Sequence, residues 1–232
     1  MGRSRQPDRL RHGVVFDLDG VLVMSEHLWE EAWVAYAARY GYEWTPLDTR
    51  TCQGMSVPEW GAYLGSRSSG DSAAAAAEVI DRVAEAYRLG RVRLLDGATE
   101  LLEAAASRGP VGLASSAPRE IIDVVMGSMG IGKYFAATVS SAEVALGKPS
   151  PDVYTEAVNK LGIDPSGSVA VEDSTNGIKA AAAAGLTVIA VAHDEYPVAA
   201  EALTLASSVR TSLGEVRQDI ERLLDGHGEG GG

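Results

Sequence analysis

Val14-Val15-Phe16-Asp17-Leu18-Asp19-Gly20-Val21-Leu22 reads as a strand that ends in acid. Val14, Val15 and Phe16 are the β-branched and aromatic residues of a short buried parallel strand, and Gly20 permits a sharp exit directly after the carboxylates. In open α/β sheets, ligands bind at the carboxyl ends of the strands. Neighbouring anions placed there cost several kcal/mol unless a cation or phosphate chemistry uses them. By itself Asp-x-Asp-Gly is also a common turn, since both residue types favour turns. Three further pieces, in order along the chain, decide against that plain reading. They are the strand Val111-Gly112-Leu113-Ala114-Ser115, the loop Gly147-Lys148-Pro149-Ser150-Pro151-Asp152, and the strand Val169-Ala170-Val171-Glu172-Asp173-Ser174. Each delivers a polar group at or just beyond a strand end.

Between the first acids and Leu94 the pattern is helical. Leu28, Trp29, Ala32, Trp33, Tyr36, Ala37 and Tyr40 recur at helical spacing, and Gly41 is placed to stop that helix. Pro46, Gly54, Pro58 and Gly61 break residues 45–64 into short helices and turns. Residues 66–72 form a Ser/Gly loop, and residues 73–89 an alanine-rich helix with Val79, Ile80, Val83, Ala84 and Tyr87 on one side. From Leu95 onward helices and apolar strands alternate, which predicts a parallel sheet wrapped on both faces with right-handed crossovers. A closing helix is expected over residues 212–224. The sheet core is therefore discontinuous: an all-helical block interrupts it after its first strand.

The 232 residues are 46% hydrophobic, enough for one generous domain or for a core with a smaller insertion. A formal net charge of −12 argues against nucleic acid or an anionic membrane surface as partner. No segment reads as a secretory signal or a membrane span, and the lone Cys52 allows no intramolecular disulfide; a cytoplasmic protein is expected. Cys52 reads as a packed side chain.

In motif order and spacing the chain resembles the haloacid dehalogenase-like hydrolases, in the branch with a helical cap after the first strand. That branch includes sugar-phosphate phosphatases and β-phosphoglucomutase. The resemblance runs from about Gly13 to about Leu224. It implies a Rossmann-like α/β core of residues 13–23 and 95–225, with a helical cap of residues 24–94. A flexible arm (residues 1–12) and a glycine-rich, disordered tail (residues 226–232) would complete the chain.

Phosphoryl transfer suits this set of residues. A phosphate monoester carries nearly two negative charges, so a carboxylate can attack it only where a divalent cation and a lysine offset the repulsion. Mg²⁺ suits all-oxygen ligands. Asp17 is the candidate nucleophile, forming an aspartyl-phosphate, and the resemblance implies the same. Asp19 is the candidate acid and base at the leaving oxygen, with its backbone carbonyl the ligand that the family would give the metal. Ser115, with Ser116 beside it, is expected to bind a phosphate oxygen, and Lys148 to act as a fixed charge. Asp173 is the expected side-chain metal ligand, with Glu172 binding directly or through water. Ser150 before Pro151 reads as a helix N-cap.

Trp29, Gly54, Met55, Ser56 and Trp60, with Arg119 beyond Ser115, are candidates for contact with the leaving group. The family's dehalogenases lack an aspartate at the position of Asp19, so its presence points to phosphate esters. Where β-phosphoglucomutase has a histidine in the first cap helix this chain has Trp29, and the Ser25-Glu26-His27-Leu28-Trp29 run looks more like the sugar-phosphate phosphatases. Met24 stands where many relatives have aspartate. Gly127 to Tyr134 nearly spells a phosphate-binding loop, but it follows a helix and lacks the Ser/Thr, so it reads as a helix C-terminus.

The expected activity is Mg²⁺-dependent hydrolysis of small phosphate monoesters, sugar phosphates first, by a monomer or small homo-oligomer. A phosphosugar mutase is the alternative, and a non-catalytic module that binds a phosphorylated metabolite is a third reading.

Overall fold

The computed structural model describes residues 11–52, 55–194 and 197–226. Most of the expected arm, Gly54, and the expected tail beyond residue 226 lie outside them. Six parallel strands form one sheet in the order β3-β2-β1-β4-β5-β6. They are β1 (Val14–Phe16), β2 (Val111–Ser115), β3 (Ala137–Ser140), β4 (Val169–Glu172), β5 (Thr187–Val191) and β6 (Ser208–Arg210). All of β1, β2 and β4 is buried, as expected for strands covered on both faces. Phe16 pairs with Leu113 on one side and Val171 on the other. That register brings Asp17, Ser115 and Asp173 to one edge of the sheet.

Four helices follow β1: α1 (Glu26–Arg39), α2 (Pro46–Cys52), α3 (Val57–Arg67) and α4 (Ser72–Arg88). Local chemistry fixes their starts. Asp71 accepts from the backbone N–H groups of Ala73 and Ala74, and Ser56 with Glu59 makes a capping box for α3. Thr45 and Asp48 exchange the same pair of bonds at the start of α2: Thr45 N donates to Asp48 Oδ2 at 2.8 Å and Asp48 N to Thr45 Oγ1 at 3.3 Å. Tyr36, Leu64, Val79, Val83 and Tyr87 form the buried interior of the block. Among its described residues there is no strand. The chain leaves and rejoins the sheet core side by side, with Val23 bridged antiparallel to Leu94 and Leu95 N donating to Leu22 O at 2.9 Å.

The remaining helices wrap the sheet: α5 (Ala98–Ala106), α6 (Arg119–Ser128), α7 (Asp152–Leu161), α8 (Thr175–Ala183), α9 (Ala200–Leu203) and α10 (Leu213–Asp225). Residues 127–134 finish α6 and continue into a 3₁₀ turn over Gly132–Tyr134, as a helix end.

Two local expectations change, and one stretch carried none. The helix α3 runs through Arg67 into the expected Ser/Gly loop, because the Ser66 and Ser68 hydroxyls donate back to the Tyr63 and Leu64 carbonyls and need no loop. Ser150 does not cap α7. Its hydroxyl donates to Asp152 Oδ1, and Pro151 occupies the cap position. The strand β6 and the short α9 lie in a stretch without a periodic signal, and Val209 in the middle of β6 is exposed.

Candidate active site

Asp17 is the first residue beyond β1, and its N–H continues the ladder to Val171 O at 3.0 Å. Its carboxylate is fixed by Lys148, whose Nζ donates to Asp17 Oδ1 at 2.7 Å and also to Glu172 Oε1. The Lys148 side chain is 4% exposed and its Nζ lies 5.1 Å from the centroid of the Tyr154 ring, so the ammonium behaves as a desolvated point charge. Burial pulls against the charged form, but Asp17 and Glu172 outweigh it and push the lysine pKa above its usual value.

Glu172 organises this side of the site. Its Oε1 accepts from Lys148 and Tyr154, while Oε2 accepts from the N–H groups of Asp173 and Ser174 and from the Ser174 hydroxyl. With both oxygens committed, its side chain anchors the lysine and the loop, which leaves Asp173 as the more open carboxylate. Gly177 lets α8 approach this anchor, since a Cβ there would lie 1.7 Å from Glu172 Oε1.

Asp17, Glu172 and Asp173 each offer a carboxylate oxygen, and these oxygens lie within 4.8 Å of one another. Burial, with the neighbouring Glu172 and Asp19 charges adding to it and Lys148 opposing it, pushes Asp17 up to about 8. Burial likewise raises Asp173 well above the carboxylate range, and the charges of Glu172 and Asp17 add to the effect. One ammonium thus faces more buried acid than it can neutralise. An all-oxygen donor set with excess negative charge fits a hard divalent cation, with Asp17 and Asp173 as the side chains free to hold it. Gly20, at φ +75°, makes the same site possible: a Cβ on it would sit 1.8 Å from Asp173 Oδ2.

Asp19 lies at the base of α1, where Ser25 Oγ donates to its Oδ1. Burial raises its pKa, against the opposing hydrogen bond from Ser25. Ser115 is fully buried and its hydroxyl accepts from Ala117 N at 3.0 Å, so it shapes the turn, while Ser116 lines the cleft. The cleft, about 630 Å³, joins Asp17, Asp19, Lys148 and Asp173 to Trp29, Met55 and Trp60 of the helical block.

Arg119 is placed elsewhere. Its guanidinium binds both oxygens of Glu143, together with the side chain and carbonyl of Thr138, and so ties α6 to the β3 edge. The chain positions of Glu143 and Thr138 gave no local sign of that pairing. The Cys52 thiol is buried and pushed up to about 12 by burial, which makes it an inert packed group. Two features close to the acids carried no motif in the sequence. His193, just beyond β5, lies with Nε2 2.6 Å from Gly20 O. Glu30 lines the cleft.

Fold and site together define a doubly wound α/β enzyme that works at the carboxyl edge of its sheet, with a helical block over that edge. A family model described as haloacid dehalogenase-like hydrolase matches residues 12–185, and the chain belongs to that family. Validoxylamine A 7'-phosphate phosphatase of Streptomyces hygroscopicus subsp. limoneus is 31% identical, over 88% of this chain and 94% of its own. Hexitol phosphatase B of Escherichia coli K12 is 34% identical, over 78% of this chain and 83% of its own. Among solved structures, CbbY from Rhodobacter sphaeroides in complex with phosphate superposes with a TM-score of 0.77 at 24% identity. That match covers 89% of this chain and 96% of that one, and it speaks for the fold.

Proposed function

We propose that this protein is a Mg²⁺-dependent phosphatase of small phosphate monoesters, sugar phosphates first, acting through an aspartyl-phosphate. The observation that carries the reading is the buried contact of Asp17 with Lys148, beside Asp173 at the end of the neighbouring strand. The phosphatase names of the relatives support the same class.

Asp17 attacks phosphorus, and the bond from phosphorus to the ester oxygen breaks. Asp19, whose raised pKa favours a retained proton, gives that proton to the departing oxygen. It then accepts a proton from the water that opens the aspartyl-phosphate and frees inorganic phosphate. Lys148 holds the attacking carboxylate in place and offsets charge on the phosphoryl oxygens. Mg²⁺, held by Asp17 and Asp173, would supply further charge neutralisation. The helical block acts as a cap that keeps bulk water from the site and limits the size of the leaving group.

A panel of phosphorylated metabolites assayed with and without Mg²⁺ tests this reading. Phosphate release from a hexose or hexitol phosphate is expected. Asp17→Asn should lower kcat by at least about 10³-fold, as loss of a nucleophile does. Isomerisation primed by a sugar bisphosphate, with little phosphate released, would identify a mutase. Retained ligand binding without turnover in the wild-type chain would identify a binding module.

A further inference from the structure

On the helical side of the cleft one carboxylate is held by a hydrogen bond on a single oxygen. Glu30, on α1, is half-buried and lines the cavity that holds Asp17 and Asp173. Its Oε1 accepts from the Thr49 hydroxyl at 3.0 Å, and Thr49 Oγ1 accepts from Trp44 Nε1 at 3.0 Å. Trp44 and Thr49 are 9% and 8% exposed, so this relay is held within packed structure. Trp44 has only a donor and Thr49 has one hydroxyl proton, so the direction is fixed: the indole N–H donates to Thr49 Oγ1 and the Thr49 hydroxyl donates to Glu30. One oxygen of Glu30 is thereby fixed, while Oε2 takes no hydrogen bond from the described residues.

The neighbouring wall is indole. Trp29 and Trp60 meet edge to face with centroids 6.0 Å apart, and Trp33 lies 6.0 Å from Trp60. All three line the same cavity. A fixed carboxylate beside indole surfaces suits a ring with apolar C–H faces and a rim of hydrogen-bond donors. An oriented anion also disfavours leaving groups that carry a second carboxylate or phosphate nearby.

We propose that Glu30, oriented through Thr49 and Trp44, is a specificity-determining residue that accepts hydrogen bonds from hydroxyl or amine donors on the leaving group, selecting polyhydroxylated or aminated ring phosphates. This rests on the phosphatase reading above and names the chemistry of the group that departs. Thr49 is a positioning residue in it, acting through Glu30.

The test compares two esters on the same protein preparation. One is the best substrate from a panel of hexose, cyclitol and amino-sugar phosphates, and the other is p-nitrophenyl phosphate, which has no hydroxyl or amine donor. Glu30→Gln keeps an oxygen for Thr49 but replaces the open carboxylate oxygen. The ratio of kcat/KM for the first ester to that for the second should fall about 10- to 100-fold, the value of a charged hydrogen bond. Thr49→Val should lower the same ratio by about three- to ten-fold, chiefly through KM. Because the ratio is internal to each preparation, a partly unfolded variant does not alter it. A Glu30→Gln ratio within about two-fold of wild type overturns the proposal, whether both rates hold or both fall. Absence of Mg²⁺-dependent turnover with every ester, p-nitrophenyl phosphate included, would instead remove the phosphatase reading on which it stands. Hydroxyl and amine donors are told apart by whether the hexose or the amino-sugar phosphate loses more.

Discussion

At Gly20 the absence of a side chain is a condition of the site. The residue has φ +75°, a region that L side chains rarely adopt, and its missing Cβ leaves the space taken by the Asp173 carboxylate. Gly20→Ala therefore meets two penalties at once, backbone strain and displacement of a buried acid. The expected result is a loss of about 1–3 kcal/mol in stability together with weaker Mg²⁺ binding. Urea unfolding measures the first and calorimetric Mg²⁺ titration the second. Normal Mg²⁺ affinity in the variant would show that Asp173 is no ligand. Glu172 carries a related lesson, since a carboxylate with five hydrogen bonds onto it serves its neighbours as an anchor.

Among the elements, α2 depends most visibly on a single residue. Burial opposes ionisation of Asp48, yet hydrogen bonds from Thr45, Tyr63 and Tyr42 outweigh it and hold the carboxyl down at about 2. A folded pKa below the unfolded value of 3.8 means stability that is present above about pH 4 and is lost as pH falls toward 2. The contribution is about 2 kcal/mol. In Asp48→Asn that acid limb should flatten, and urea midpoints between pH 2 and 5 measure the difference. The turn chemistry at Thr45-Pro46-Leu47-Asp48 is local, and so are the acid ends of β1 and β4. For that reason the parallel core, the helical block and the placement of Asp17, Lys148 and Asp173 were legible in the sequence. What was not legible depends on partners distant in the chain. Arg119 meets Glu143, Glu172 takes a lysine 24 residues away, and Glu30 is oriented by a threonine 19 residues on. The strand β6 escaped because three half-exposed residues carry too little pattern, although Asp219 of α10 holds Arg210 there at 2.8 Å.

For the whole molecule, the concentration of buried acid ties stability to pH and to metal together. Without a cation, burial and the neighbouring acids push the Asp17 carboxyl up to about 8 in the folded protein, against 3.8 in the unfolded chain. The folded state thus binds more protons across that window, and the metal-free protein should lose stability as pH rises from about 4 to 8. A cation competes with the proton for the same oxygens, so the gain in Tm on adding Mg²⁺ to chelator-treated protein should be larger at pH 8 than at pH 5. At a hundredfold excess over Kd the gain is about 2.7 kcal/mol, or roughly 5–10 °C for a chain of this size. Equal gains at both pH values would place the ion away from Asp17. The contact between Val23 and Leu94 has a different consequence. Because the outgoing and returning strands of chain are stitched together, a short turn could join them directly. The same stitch shields the acids from what happens further out: changes of length or sequence within the helices should leave β1 in register, while the buried cluster that runs from Val14 and Phe16 to Tyr36 and Tyr87 makes those helices a seal on the sheet as well as a lid on its chemistry.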